Sequence, residues 1–105
     1  MSLRMPQNLS SGLRVETGEQ RLLAEVAAEQ ASALGRLGRA VEHALHRLKT
    51  DSSEARDELL GHAAVAVWNY FVQREVIGMI NHDQAIAHYG IPGEVLARVG
   101  GSRKP

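Results

Sequence analysis

"TGEQRLLAEVAAEQASALGRLGRAVEHALHRLK", residues 17–49, decides the fold. Thr17 followed three residues later by Gln20 is a capping-box signal, the pattern that starts a helix. Helix formers then continue without a proline to Lys49. One helix of about 33 residues follows, ~50 Å long at 1.5 Å per residue. On a wheel at 100° per residue, Leu23, Leu34, Leu37, Val41, Leu45 and Leu48 make a stripe of large residues. Beside it runs a stripe of small ones, Ala24, Ala28, Ala31, Gly35 and Gly38, at heptad-like steps. The polar face is narrow, so the apolar arc is about 200° wide, well beyond the stripe of an ordinary surface helix. Each glycine inside a helix costs roughly 1 kcal/mol relative to alanine. Close approach of another helix backbone at Gly35 and Gly38 would offset that cost.

Downstream, "TDSSEARDELL" reads as a second helix start, with Ser52 or Ser53 as cap and Glu54, Asp57 and Glu58 in the first turns. This helix is expected to run to about Ile80. Valines and aromatics in "VAVWNYFV" suggest a strand, but the flanking helix formers and the absence of turn residues favour the helix. Asn81 is placed to cap a third, short helix, "HDQAIAHY", which Gly90 stops at its C′ position. Pro92 fits the first turn of a fourth, "PGEVLARV", stopped by Gly100. Upstream, residues 1–16 read as a loose polar arm, and residues 101–105 as a solvated tail, leaving a single helical domain over 17–100.

The fold class is therefore all-α: a long helical hairpin plus two short C-terminal helices. Leu59, Leu60, Ala63, Ala64, Val67, Trp68, Phe71, Val72 and Met79 make the second helix broadly apolar as well. Two arcs this wide cannot be covered by one hairpin and two short helices. Two hairpins back to back can do so, which predicts a homodimeric four-helix bundle. Its interface is expected at Ala24, Ala28, Ala31, Gly35 and Gly38.

Composition narrows the function. Twelve basic residues balance twelve acidic ones, so the formal net charge is zero, without the basic excess of a nucleic-acid binder. With no cysteine there is no disulfide, no thiolate nucleophile and no Cys-ligated metal. The N-terminus lacks the apolar run of a signal peptide, and "LLGHAAVAVWNYFV" is too short to span a bilayer. A soluble, cytoplasmic protein without membrane contact is expected.

Two charges, Arg74 and Glu75, fall inside the apolar arc of the second helix. Buried charges are normally paired or hydrogen-bonded. In a structural role, Glu75 caps the start of a terminal helix and Arg74 binds carbonyls or an acid. In a functional role, Gln73, Arg74, Glu75, His88 and Tyr89 form a polar pocket. His43 and His46 share one helical side beside Glu42, but that side faces solvent, and zinc needs three or four convergent ligands. The Glu-to-His spacings, 42 to 46 and 58 to 62, are not those of di-iron bundles. No phosphate loop, HExxH or nucleophile elbow is present. No catalytic residue, cofactor or metal site is expected.

"AIAHYGIPGEVLARV" has the turn glycine and inward apolar positions of a helix-turn-helix. However, the second helix of the pair exposes Gly93, Glu94 and Arg98, where DNA readers place basic and amide side chains. The pair is read as a clasp over the hairpin, with Ile91, Leu96 and Val99 buried against the second helix near Trp68, Phe71 or Met79.

"AVWNYFVQREVIG", continuing through "YGIPGEVLARVG", resembles the C-terminal half of a small family of uncharacterised bacterial all-helical proteins. In that family an "FVQRE" helix is followed by a "YGIP-EVL-R-G" clasp. The resemblance implies an all-helical fold with no assigned activity. The leading reading is a small dimeric protein-interaction or regulatory accessory module. A weak or partner-assisted DNA-binding protein using residues 81–100 is the alternative. A helical metal-binding protein or enzyme stands third.

Overall fold

The computed structural model describes residues 17–103, with side-chain surroundings through residue 100. The expected arm over 1–16 lies outside the described residues. Among the described residues there are four helices and no strand: α1 (Gly18–Thr50), α2 (Arg56–Val76), α3 (Asp83–Tyr89) and α4 (Gly93–Arg103). None is long and apolar enough to cross a membrane.

α1 starts where its capping box predicts. Thr17 Oγ1 accepts from the Gln20 N–H at 3.0 Å, and Gln20 Oε1 accepts from the Thr17 N–H at 2.9 Å. It ends at a tight polar connection. Asp51 Oδ1 accepts from the Ser53 N–H at 2.8 Å and from its hydroxyl at 2.5 Å. Arg47 binds the other Asp51 oxygen at 3.1 Å and also Glu54. This turn overrules the expected serine cap. Ser53 is bound backward to Asp51, so α2 starts later, at Arg56, and its N-cap Ala55 makes no side-chain bond. Asp57 and Glu58 still lie in the first turn, where the helix dipole favours them.

α2 also stops earlier than expected, at Val76 rather than near Ile80. Gly78 adopts φ +95°, which a side chain disfavours. Its N–H bonds to the Glu75 carbonyl at 3.0 Å, and the Met79 N–H bonds to the Arg74 carbonyl at 2.8 Å. These two bonds are the Schellman closure of a helix end. The same closure recurs at α3, where Gly90 (φ +62°) bonds to Ala87 and the Ile91 N–H bonds to Ile86, as expected for a C′ glycine. The N-cap of α3 is His82, without a side-chain cap bond, so the expected Asn81 cap is corrected by one residue; Asn81 Oδ1 accepts from the Asp83 N–H at 2.9 Å just ahead of it. The Pro92 carbonyl accepts from Val95 and Leu96 and opens α4. α4 continues through Gly100 to Arg103, so the expected helix stop at Gly100 is corrected. One glycine with no αL demand does not end a helix.

The core lies between α1 and α2 and under the returning α4. Val41, Leu45 and Leu48 meet Leu59, Leu60, Ala63, Ala64, Val67, Tyr70 and Phe71. Ile91, Val95 and Val99, four residues apart, face this core, and Val95 is fully buried. The clasp therefore turns on Val95, with Leu96 only half-buried beside Phe71 and Met79 exposed. A helix starting at Gly93 puts 95 and 99 on one line with Ile91 and turns 96 to its edge.

The hairpin arms are unequal. Gly38 packs against Tyr70, and Val76 lies six residues beyond Tyr70, so α2 ends level with about Ser32. The preceding part of α1, ~21 Å of helix, has no α2 beside it. Leu22 (58 % exposed), Leu23 (62 %) and Val26 (46 %) are open there, which removes Leu23 from the expected core stripe. The dimeric bundle expected from the wide arcs is not part of what the single chain shows.

Two measurements check this fold. Val95→Ala is expected to lower stability by about 1.5–3 kcal/mol, the worth of a buried valine. Leu96→Ala should cost less than the roughly 2–5 kcal/mol of a buried leucine. Denaturant titration of both variants decides whether the clasp turns on Val95.

The second concerns acid. The Ser53 hydroxyl and N–H, with Arg47, hold the Asp51 carboxyl down at about 2. A carboxyl depressed in the folded state stabilises above its unfolded value, and that contribution disappears as pH falls through the folded value. Asp51→Ala should therefore lower Tm at neutral pH. The gap to the native chain should close between about pH 4 and pH 2. A Tm difference independent of pH would remove the carboxylate from the turn's stability.

Candidate functional site

The charged pair in the apolar arc of α2 is resolved by a residue that the sequence reading did not single out, His82. Arg74 Nε donates to His82 Nδ1 at 3.1 Å, and Arg74 Nη2 donates to the Asn81 carbonyl at 3.0 Å. Because Nδ1 accepts, a neutral His82 carries its proton on Nε2, which faces Glu75 Oε2 at 2.9 Å. The imidazole lies flat on Phe71, 4.1 Å between centroids and 3° between planes. Its side chain is only 12 % exposed. The α2–α3 turn is thus closed twice, by the Gly78 backbone and by this Arg–His–Glu chain. Arg74 binds a carbonyl, as its structural role required, and Glu75 holds the residue preceding α3.

The five residues nominated as a polar pocket do not converge. Arg74 and His88 line one shallow hollow of about 210 Å³ with Tyr70, Gln84 and Ala85. Gln73 and Glu75 do not line it. Tyr89 turns toward α1 and, with His88, borders a separate groove of about 370 Å³ formed with Glu42, His46 and Lys49. His88 packs edge-on against Tyr89 at 4.7 Å.

Tyr89 has a structural partner instead. Its ring stands at 87° to that of Tyr70, 5.3 Å between centroids. Burial, with the Tyr70 hydroxyl beside it, pushes its phenol up to about 12. Its hydroxyl fills the space above the bare backbone of Gly38, where a Cβ would also come within 3.4 Å of the ring carbon Cζ. Gly38 is therefore buried inside the chain and is withdrawn from the expected dimer interface. The other four small residues, Ala24, Ala28, Ala31 and Gly35, are exposed on α1.

The charges of the clasp are engaged as well. Arg98 pairs with the Asp57 carboxylate and donates to the Asp57 carbonyl at 3.2 Å, while Arg56 pairs with Glu94. These crossed pairs join the start of α2 to α4. At their exposure each is worth about 0–1 kcal/mol, but together they set the direction of the outward side chains. His43 and His46 lie on the exposed side of α1. Among the described residues no three His, Asp or Glu side chains are grouped to hold a metal.

Fold and site together define an all-helical hairpin protein with a C-terminal clasp, whose conspicuous polar cluster closes a turn. Over residues 1–104 the chain matches a family of unknown function, DUF6665, and it belongs to that family. The match extends beyond the C-terminal motifs that carried the resemblance. No curated protein and no solved structure matches.

Gly38→Ala tests the Tyr89 contact. Helix propensity alone would make it stabilising by about 1 kcal/mol, whereas overpacking costs roughly 1–3 kcal/mol. A net loss of stability is expected, and Tyr89→Phe, which removes the opposing oxygen, should restore part of it in the double variant. A stabilised Gly38→Ala chain would show that Tyr89 is not lodged there.

Proposed function

We propose that this protein is a small helical interaction module that works as a homodimer through the overhanging end of α1. The observation that carries the reading is the exposure of Leu22, Leu23 and Val26 on the helix that holds the core. Leu23 continues the stripe that buries Val41, Leu45 and Leu48 farther along, with Val26 at its edge and Leu22 beside it. Val76 at the end of α2, and Met79 and Ile80 in the turn after it, add exposed apolar surface. A contiguous apolar patch of this kind marks an interaction surface more often than a solvated face. Large side chains supply more of the burial that drives association than the small stripe does.

An accessory or regulatory role in the cytoplasm goes with this reading, and catalysis does not. Both ring nitrogens of His82 are occupied by neighbours that hold a turn. The DNA-binding alternative is weakened by the pairing of Arg98 with Asp57 and by Glu94 on the same helix. A phosphate contact would first have to displace that carboxylate.

Sedimentation equilibrium tests the proposal. The native chain should behave as a dimer at micromolar concentration. The pair Leu23→Glu and Val26→Glu should give a monomer with unchanged helix content, because neither side chain supports the core. A native chain that sediments as a monomer throughout overturns the reading.

A further inference from the structure

We infer that the two copies join antiparallel, each α1 overhang serving as the missing continuation of the partner's α2. This rests on the homodimer reading and specifies its geometry.

At 100° per residue, Leu23 and Val26 fall on the same side of α1 as Val41, Leu45 and Leu48, the side that α2 covers. Whatever covers the overhang must therefore lie in line with α2 and stop where α2 stops, level with about Ser32. A parallel partner helix cannot do this. It would run alongside α1 past that level into the space α2 already fills. An antiparallel partner reaches that level at its own start.

The sequence of the face is suited to such a pairing. Around the midpoint between Ala24 and Glu25 it is symmetric in chemistry: Leu23 mirrors Val26, Leu22 mirrors Ala27, and Glu19 mirrors Gln30. Placing the twofold axis at that midpoint sets Leu23 of one copy on Val26 of the other, and the reverse, as an isologous contact requires. Glu19 then meets an amide that can donate to it. In a parallel pair two Glu19 carboxylates would face each other on the apolar side. The same axis places the partner's N-cap, Thr17, level with Ser32. That is where α2 ends by an independent observation, the packing of Tyr70 on Gly38. The length of the overhang thus equals the length its own mirror image covers.

The absence of cysteine makes the test direct. Val26→Cys and Ala33→Cys are prepared separately and treated with a short bis-maleimide of about 10 Å reach. In the antiparallel dimer the two positions 26 are offset by about 4.5 Å along the axis, and the two positions 33 by about 25 Å. Val26→Cys should be captured as a covalent dimer and Ala33→Cys should not. Equal capture at both positions means a parallel pair and overturns the inference. Capture at neither, with the native chain a dimer by sedimentation, also overturns it and moves the contact to another face, while the homodimer reading stands. A monomer by sedimentation removes both, and assigns the overhang to a different occupant, either the chain's own first sixteen residues or an unrelated protein.

Discussion

Three helices meet where Tyr89 crosses the bare backbone of Gly38. The hydroxyl comes from the end of α3, the open backbone from α1, and the flanking ring, Tyr70, from α2. A side chain larger than hydrogen at 38 would force this ring out. One close approach thus ties the end of α3 to both arms of the hairpin. That explains why a glycine is retained in a helix interior at a cost of roughly 1 kcal/mol.

Much of the local architecture was readable from residue type alone. The Thr17–Gln20 box and a proline-free run define α1 because capping and period are local properties. Gly90 ends α3, as its position two residues before Pro92 implies. Other glycines could not be sorted this way. Gly35, Gly38 and Gly61 stay helical, whereas Gly78 turns left-handed. Met79 and Ile80 continue the apolar pattern past Gly78, so the residue types alone do not separate a helix end from a helix. Ser53 was likewise ambiguous, because its competitor for a hydrogen bond was Asp51, two residues earlier.

The candidate site was legible in its demand and not in its solution. Two charges in an apolar arc had to find partners, and Arg74 does take a carbonyl. The partner they share, His82, lies across a turn whose closure depends on Gly78. Its seven-residue separation from Glu75 equals two helical turns, but the helix ends at Val76, so the contact is made across the turn and not along a helix face. The polar pocket pairs Gln73, Arg74 and Glu75 with His88 and Tyr89 across the turn, and the turn brings only Arg74 and His88 to one hollow, while Tyr89 packs on Gly38 of α1. The small-residue stripe was a sound reading of a wheel, but one of its five members is filled from within. The leucine stripe expected inside ends in the open.

The five-residue connection 51–55 bears on how the chain reaches this state. Closing so short a loop loses little chain entropy, and Asp51 prepares its bend with bonds to residues at most four away along the chain. α1 and α2 can therefore zip from that end, with contacts that stay local in sequence and favour rapid folding. The clasp has no such advantage. Arg98 must return across 41 residues to Asp57, and Val95 must find a cleft that exists only after the hairpin has formed. Order of assembly is thus built into loop length. The hairpin is the template, and the clasp helices α3 and α4 are the part that arrives second and opens first.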